Sequence, residues 1–124
     1  MNAKDIVIKY FEGINNHDWD IWLSLFDDNV IIDEAVSGHM EGIHSMKESI
    51  EGIKNNFSKF KNNIQEIVAE SNKVMVVCRI EATTMNGFSF ESTGANFYNI
   101  ANGKIIYMAS FHDKEIFIKA FDIK

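Results

Sequence analysis

No proline occurs anywhere in this chain, and cysteine occurs once, at Cys78. Without proline, glycine supplies the punctuation between elements. A single cysteine can close no intrachain disulfide and assemble no thiolate metal cluster. It stands inside the apolar run VMVVCRI, a setting that suits a small buried hydrophobe better than a nucleophile. Basic residues are scarce as well: 12 Lys and Arg against 18 Asp and Glu leave a net charge of −6. With no basic run to offset that average, nucleic acid and anionic membrane are excluded as expected partners. No apolar stretch approaches the roughly 18 residues that a membrane span needs. The opening MNAKDIVIKYFEG lacks the unbroken apolar region and small-residue cleavage site of a secretory signal, so a reduced, cytoplasmic setting is expected.

What is present fits one domain over residues 1–124, with 46% hydrophobic and 24% charged residues. Val7, Tyr10, Phe11 and Ile14 recur at helical spacing and make one apolar stripe over residues 4–16. Asp18 is the expected N-cap of a second, short helix that turns Ile21, Trp22, Leu25 and Phe26 inward. DDNVIIDEAVSGHMEG reads as a strand, a turn near Gly38 and a brief return strand. A third helix follows, with Ile43, Met46, Ile50, Ile53 and Phe57 on one side. Beyond residue 58 the segments ESNK, MNGF and ANGK are hairpin signals joining four long strands. KEIFIKAF then extends the last strand or forms a terminal helical turn. Helices followed by an antiparallel meander make an α+β pattern, with the helices on one face of a curved sheet.

Strand register decides which side chains share that face. In IANGKI a two-residue turn pairs Ala101 with Lys104, whereas a type I turn with a glycine bulge pairs Ile100 with Lys104. The bulged form, taken here and in TMNGF, gives a consistent face across three strands and is the expected one. It directs Val74, Val76, Cys78, Ile80, Ala82, Phe88, Phe90, Ser92, Gly94, Asn96, Tyr98, Ile106, Met108, Ser110 and His112 inward. This face is nearly free of formal charge, and Ser92, Asn96, Ser110 and His112 gather at one end of it. An apolar hollow with a few convergent polar groups is what small-molecule sites look like. The other face mixes Arg79, Glu81 and Glu91 with Val77, Phe97, Tyr107 and Phe111, an apolar patch that suggests a homodimer through the convex sheet face.

Two short helices ending in HDWDIWLSLFDDNVIIDE, a glycine before the third helix and NGKI opening the last long strand resemble the superfamily of ketosteroid isomerase, nuclear transport factor 2 and the SnoaL-like polyketide cyclases. The resemblance covers nearly the whole chain in element order. It implies a cone-shaped curved antiparallel sheet in the order α-α-β-β-α-β-β-β-β, with three N-terminal helices on the concave face. Ketosteroid isomerase-like enzymes use a carboxylate base on the first strand and an oxyanion hole built from a tyrosine and a protonated aspartate. By similarity of position Glu34 falls at the base, Tyr10 at the tyrosine donor and Asn96 near the second donor, offering an amide where the family has an acid. His112 falls at a pocket-lining aromatic. Ser110 falls where SnoaL-like cyclases carry an acid/base aspartate, so neither enzyme's full set is present.

A carboxylate in an apolar hollow has its charged form disfavoured, which moves Glu34 toward a range useful for proton abstraction. A tyrosine such as Tyr10 can donate to a developing oxyanion, and a histidine such as His112 titrates near neutrality. The expected catalytic residues are therefore Glu34, Tyr10 and His112, with Asn96, Ser110, Met108, Trp22, Phe90 and Tyr98 binding the ligand. His17, His39 and His44 have no metal-triad spacing, and phosphate loop and nucleophile elbow are both missing, so no metal and no cofactor are expected. Three functions stay open: a cofactor-independent isomerase or cyclase acting on a small hydrophobic carbonyl compound, a non-catalytic module holding such a molecule, and a dimeric interaction domain.

Overall fold

The computed structural model describes residues 1–122. The chain runs α1 (Ala3–Asn15), α2 (Trp19–Ser24), β1 (Phe26–Glu34), β2 (Gly38–Glu41), α3 (Ile43–Asn56), β3 (Phe57–Glu70), β4 (Lys73–Thr84), β5 (Ser89–Ala101), β6 (Lys104–Phe111) and α4 (Lys114–Asp122). Six strands form one curved sheet in the order β2-β1-β6-β5-β4-β3. Every neighbouring pair is antiparallel except β1 and β6, which run parallel. The expected α+β cone is thus observed with one parallel junction, where the first strand lies beside the last. Tyr107 donates to Asp33 across that junction at 2.7 Å.

Local chemistry places the helices. At the start of α1, Asn2 accepts from the Asp5 amide at 2.9 Å and Asp5 accepts back from the Asn2 amide at 3.4 Å, which satisfies two otherwise orphaned N–H groups. Asp18 caps α2 as expected. Because α2 has only six residues, one side chain of it, Trp22, is buried, and Ile21 lies 49% exposed, contrary to the inward position expected of it. At the end of α1, the Asn15 amide donates to the Asn62 carbonyl at 2.9 Å and accepts from the Asn62 N–H at 2.8 Å. That amide acts as a strand neighbour for β3 and joins helix to sheet. KEIFIKAF forms a helix, α4, which buries Phe117 and Ala120 against Ile80, Ala82 and Phe90.

The two glycine turns differ. In TMNGF, Gly87 donates to the Thr84 carbonyl and the Thr84 N–H donates to Phe88, with Gly87 at φ 88°, which is the bulged turn expected there. In IANGKI, Ala101 pairs with Lys104, and Asn102 and Gly103 sit at φ 53° and 76°. This is the two-residue turn with both central residues left-handed, so the expected Ile100–Lys104 pairing is corrected. A bulge nevertheless follows: Ile100 pairs with Ile105 and Asn99 with Tyr107, leaving Ile106 as the extra residue. The inserted residue restores the expected face from Tyr98 and Met108 onward, and makes Ile105, not Ile106, the fully buried side chain.

The core centres on Tyr10, whose ring meets those of Phe11, Trp22, Phe26 and Tyr98 at centroid distances of 5.1, 5.6, 6.0 and 5.1 Å. Each such aromatic pair contributes about 0.5–1.5 kcal/mol beyond simple burial. One glycine is required by space alone. A Cβ on Gly94 would run into the Phe111 carbonyl and the His112 ring, which cross over β5 at that point. Gly94→Ala is expected to destabilise the fold by about 1–3 kcal/mol. Gly52→Ala, at a helical position with nothing within 4 Å of the added methyl, is expected to stabilise it by about 0.5–1 kcal/mol. Urea unfolding of the two variants reads both signs.

Candidate functional site

Between α3, α4 and the concave sheet lies a cavity of about 470 Å³. Three of its residues stand in one row across the sheet: Glu34 pairs with Ser110 and Ser110 with Asn96. Alternation along β1, β6 and β5 turns all three side chains the same way. Of the residues expected at the site, Tyr10, Trp22, Glu34, Asn96, Met108, Ser110 and His112 line this cavity together. Tyr98 and Phe90 do not. Tyr98 is fully buried behind Tyr10, and Phe90 packs on Phe117 in the second core cluster at a centroid distance of 5.2 Å.

Behind the wall, Asn96 Nδ2 donates to Tyr98 Oη at 2.9 Å, and the Tyr98 ring meets that of Tyr10 edge-on at 5.1 Å. Asn96 therefore spends its amide N–H on Tyr98, and its Oδ1 is buried without a partner. Burial raises the Tyr10 phenol well above its ordinary range, with the Cys78 and Glu34 charges adding to the effect, so Tyr10 stays a protonated donor.

His112 lies just beyond β6, where Gly94 leaves room for its ring. Nδ1 is 3.2 Å from Ser92 Oγ, and Nε2 is 3.9 Å from Cys78 Sγ. Both ring nitrogens thus face the sheet. Burial lowers the His112 pKa, and the Glu34 carboxylate opposes that shift without overcoming it. Burial also pushes the Cys78 thiol up to about 11, which keeps it protonated and unreactive as a nucleophile.

Glu34 is half-buried, with Oε1 accepting from the Val36 N–H at 3.3 Å. The other carboxylate on the wall, Glu48, sits on the outer rim of α3 with its side chain 71% exposed, beside His44 at 3.2 Å. Among the described residues lining the cavity there is no lysine or arginine. Nor do the described residues include a His, Cys, Asp and Glu group able to hold a metal ion. The expected set leaves out much of the wall, including the apolar Ile32, Met46, Phe60 and Phe117 and the polar Asn62. Asn62 is 4% exposed with Oδ1 unpartnered, and the alternation Phe60, Asn62, Ile64 in FKNNI is the signal that places it inward.

A His112 pKa lowered by folding has a definite consequence. As pH falls below 6.5 the unfolded chain takes up the proton first, so its contribution to stability is present above 6.5 and is lost as pH falls toward the folded value. Histidine resonances followed by NMR should place His112 below 6.5. Because Glu34 raises it, Glu34→Gln should lower it further. An unchanged His112 titration in that variant would separate the two groups.

Residues 7–108 match the family model described as SnoaL-like domain. An NTF2-like protein of unknown function from Burkholderia pseudomallei K96243 has a similar structure, with a TM-score of 0.90 at 15% identity over 99% of both chains. TerC, co-crystallised with polyporic acid, is similar at a TM-score of 0.87 and 16% identity over 98% of each chain. A protein of Pseudomonas putida KT2440, provisionally named a polyketide cyclase, gives 0.83 and 18% over 97% of this chain and 98% of that one. At these identities the likeness is one of fold. No curated protein matches the sequence.

Proposed function

Since the chain belongs to the SnoaL-like domain family, we propose that its cavity binds a small, mostly apolar carbonyl compound and that Glu34 acts on it as a general base without a cofactor. The observation that carries this reading is the position of Glu34: apart from Glu48 on the exposed outer rim, it is the one carboxylate among the described residues that line the hollow, and no lysine or arginine stands beside it. In the proposed step the Glu34 carboxylate takes a proton from the carbon beside the carbonyl. The C–H electron pair moves into the new C=C bond, and the carbonyl oxygen takes up the charge. Tyr10 donates a hydrogen bond to that oxygen. Return of the proton to another carbon gives isomerisation, whereas attack of the enolate carbon on a second carbonyl of the same molecule gives ring closure. His112, neutral and bonded into the sheet, serves as wall. Similarity to a fold co-crystallised with polyporic acid and to provisional polyketide cyclases favours a ring-forming or ring-bearing substrate.

The test is exchange of the α-protons of 2-tetralone in D₂O, followed by NMR. The protein is expected to accelerate exchange, and Glu34→Gln to reduce that acceleration by about 10²–10⁴-fold. Equal exchange with the two proteins would leave the cavity a binding site with no base.

A second reading concerns assembly. The outward sheet face exposes Met75, Val77 and Phe111 at 43%, 41% and 59%, beside the paired rings of Phe97 and Tyr107 at 6.2 Å. Such a patch fits burial against a second copy of the chain. Sedimentation at micromolar concentration is expected to find a dimer, and Val77→Lys with Phe111→Glu to convert it to monomer.

A further inference from the structure

On the outer face of the β1–β2 hairpin, His39 stands between two carboxylates. Its Nδ1 lies 2.7 Å from Asp33 Oδ1, and its Nε2 lies 2.9 Å from Glu41 Oε2. A carboxylate only accepts, and a neutral imidazole carries a single N–H. Both contacts are therefore hydrogen bonds only when the ring is an imidazolium. Asp33 is held from its other side by the Tyr107 hydroxyl, which donates to Oδ2 at 2.7 Å. The network thus runs from β2 through β1 to β6, with Asp33 and His39 directly opposed across the hairpin. The same hairpin borders the cavity: Ala35, Val36 and Ser37 at its tip and the inward Glu34 and Met40 line the hollow. Glu48 on the exposed rim of α3 lines it as well, so the hollow meets solvent on this side. β2 is the four-residue edge strand of the sheet. Its far end is fixed by the Gly42 N–H, which donates to the Val30 carbonyl at 2.7 Å. Toward the tip, the side-chain network adds to the backbone pairing of Met40, His39 and Gly38 with β1.

We infer that His39 is a pH-operated latch on the cavity rim: its imidazolium clamps β2 to β1, and loss of that proton loosens the tip at residues 35–37. The latch holds whatever the cavity binds and whether or not Glu34 acts as a base. The charged groups around His39 set the direction. Its hydrogen bonds to Asp33 and then to Glu41 raise its pKa above 6.5, and the bonds from His39 and Tyr107 lower that of Asp33. α3, which also packs on β2, carries His44, Lys47, Glu48, Glu51 and Lys54; of these, His44 pairs with Glu48 and Lys54 with Glu51. Glu34 and Asp113 line the cleft beside the hairpin, with no lysine or arginine among the described residues there. The imidazolium contribution is complete below 6.5 and is lost as pH rises through the folded His39 value. At the acid end the clamp fails as pH falls through the lowered Asp33 value.

Quenched-flow amide exchange of the whole chain, corrected for the intrinsic rate and run from about pH 5.5 to about pH 9, tests the latch without any ligand. Protection of the β2 amides relative to those of β5 is expected to fall about two- to tenfold across the His39 titration, as befits two exposed ion pairs. His39→Gln is expected to show the lower protection at every pH. Glu41→Gln is expected to move the step to lower pH together with the His39 NMR titration, because Glu41 helps to raise that pKa. Level protection while His39 titrates would overturn the latch, as would the same step in His39→Gln. A His39 pKa at or below 6.5 would overturn it too.

Discussion

A phenol buried away from water must find partners for its hydroxyl, and a helix lying on a sheet must find a fixed seat. Both requirements meet where Tyr10 of α1 stacks edge-on against Tyr98 of β5. The rings hold the helix in register on the sheet, and the Tyr98 hydroxyl accepts from the Asn96 amide. Moving Tyr10 off that seat would unpack Phe11, Trp22 and Phe26, whose rings all touch it. The cavity wall is the exposed side of this same cluster, so the packing that stabilises the fold also sets the donor that faces a ligand.

Polar groups at the two ends of the cavity have separate fates, although all lie on one face. At one end His112 is drawn into the sheet by Ser92 and Cys78, in space that exists only because Gly94 has no side chain. It becomes a neutral wall. Nearer the helices, Asn96 commits its amino group to Tyr98, and the Oδ1 atoms of Asn62 and Asn96 are buried without a partner. Glu34, beside Ser110, keeps its carboxylate in the cavity. The curved sheet thus carries a carboxylate and neutral polar side chains on one face, and α1 sets the Tyr10 phenol beside them.

Much of this order is legible locally. Val7, Tyr10, Phe11 and Ile14 share a helical stripe because 3.6 residues make a turn, and all four are buried. Alternation along VMVVCRIEA places Val74, Val76, Cys78, Ile80 and Ala82 on the inner face, and they are buried too. Other features are settled at longer range. Ile21 follows the same stripe rule as Trp22, yet α2 is too short to bury both. Asn102 and Gly103 admit either turn, and the choice fell to the two-residue form with a compensating bulge at Ile106 because the inner face of β6 had to match Tyr98.

Sequence by itself determined the element order, the inward face of the long strands and the gathering of Ser92, Asn96, Ser110 and His112 on that face, because periodicity and turn chemistry act between near neighbours. Only the tertiary structure decided which way each polar group is spent. The Asn96 amide turns to Tyr98, the His112 ring folds back over Gly94, and Asn62 is held in place by the end of α1. The last two are contacts between residues distant in the chain, and a hydrogen bond made to one partner is a hydrogen bond withheld from a ligand.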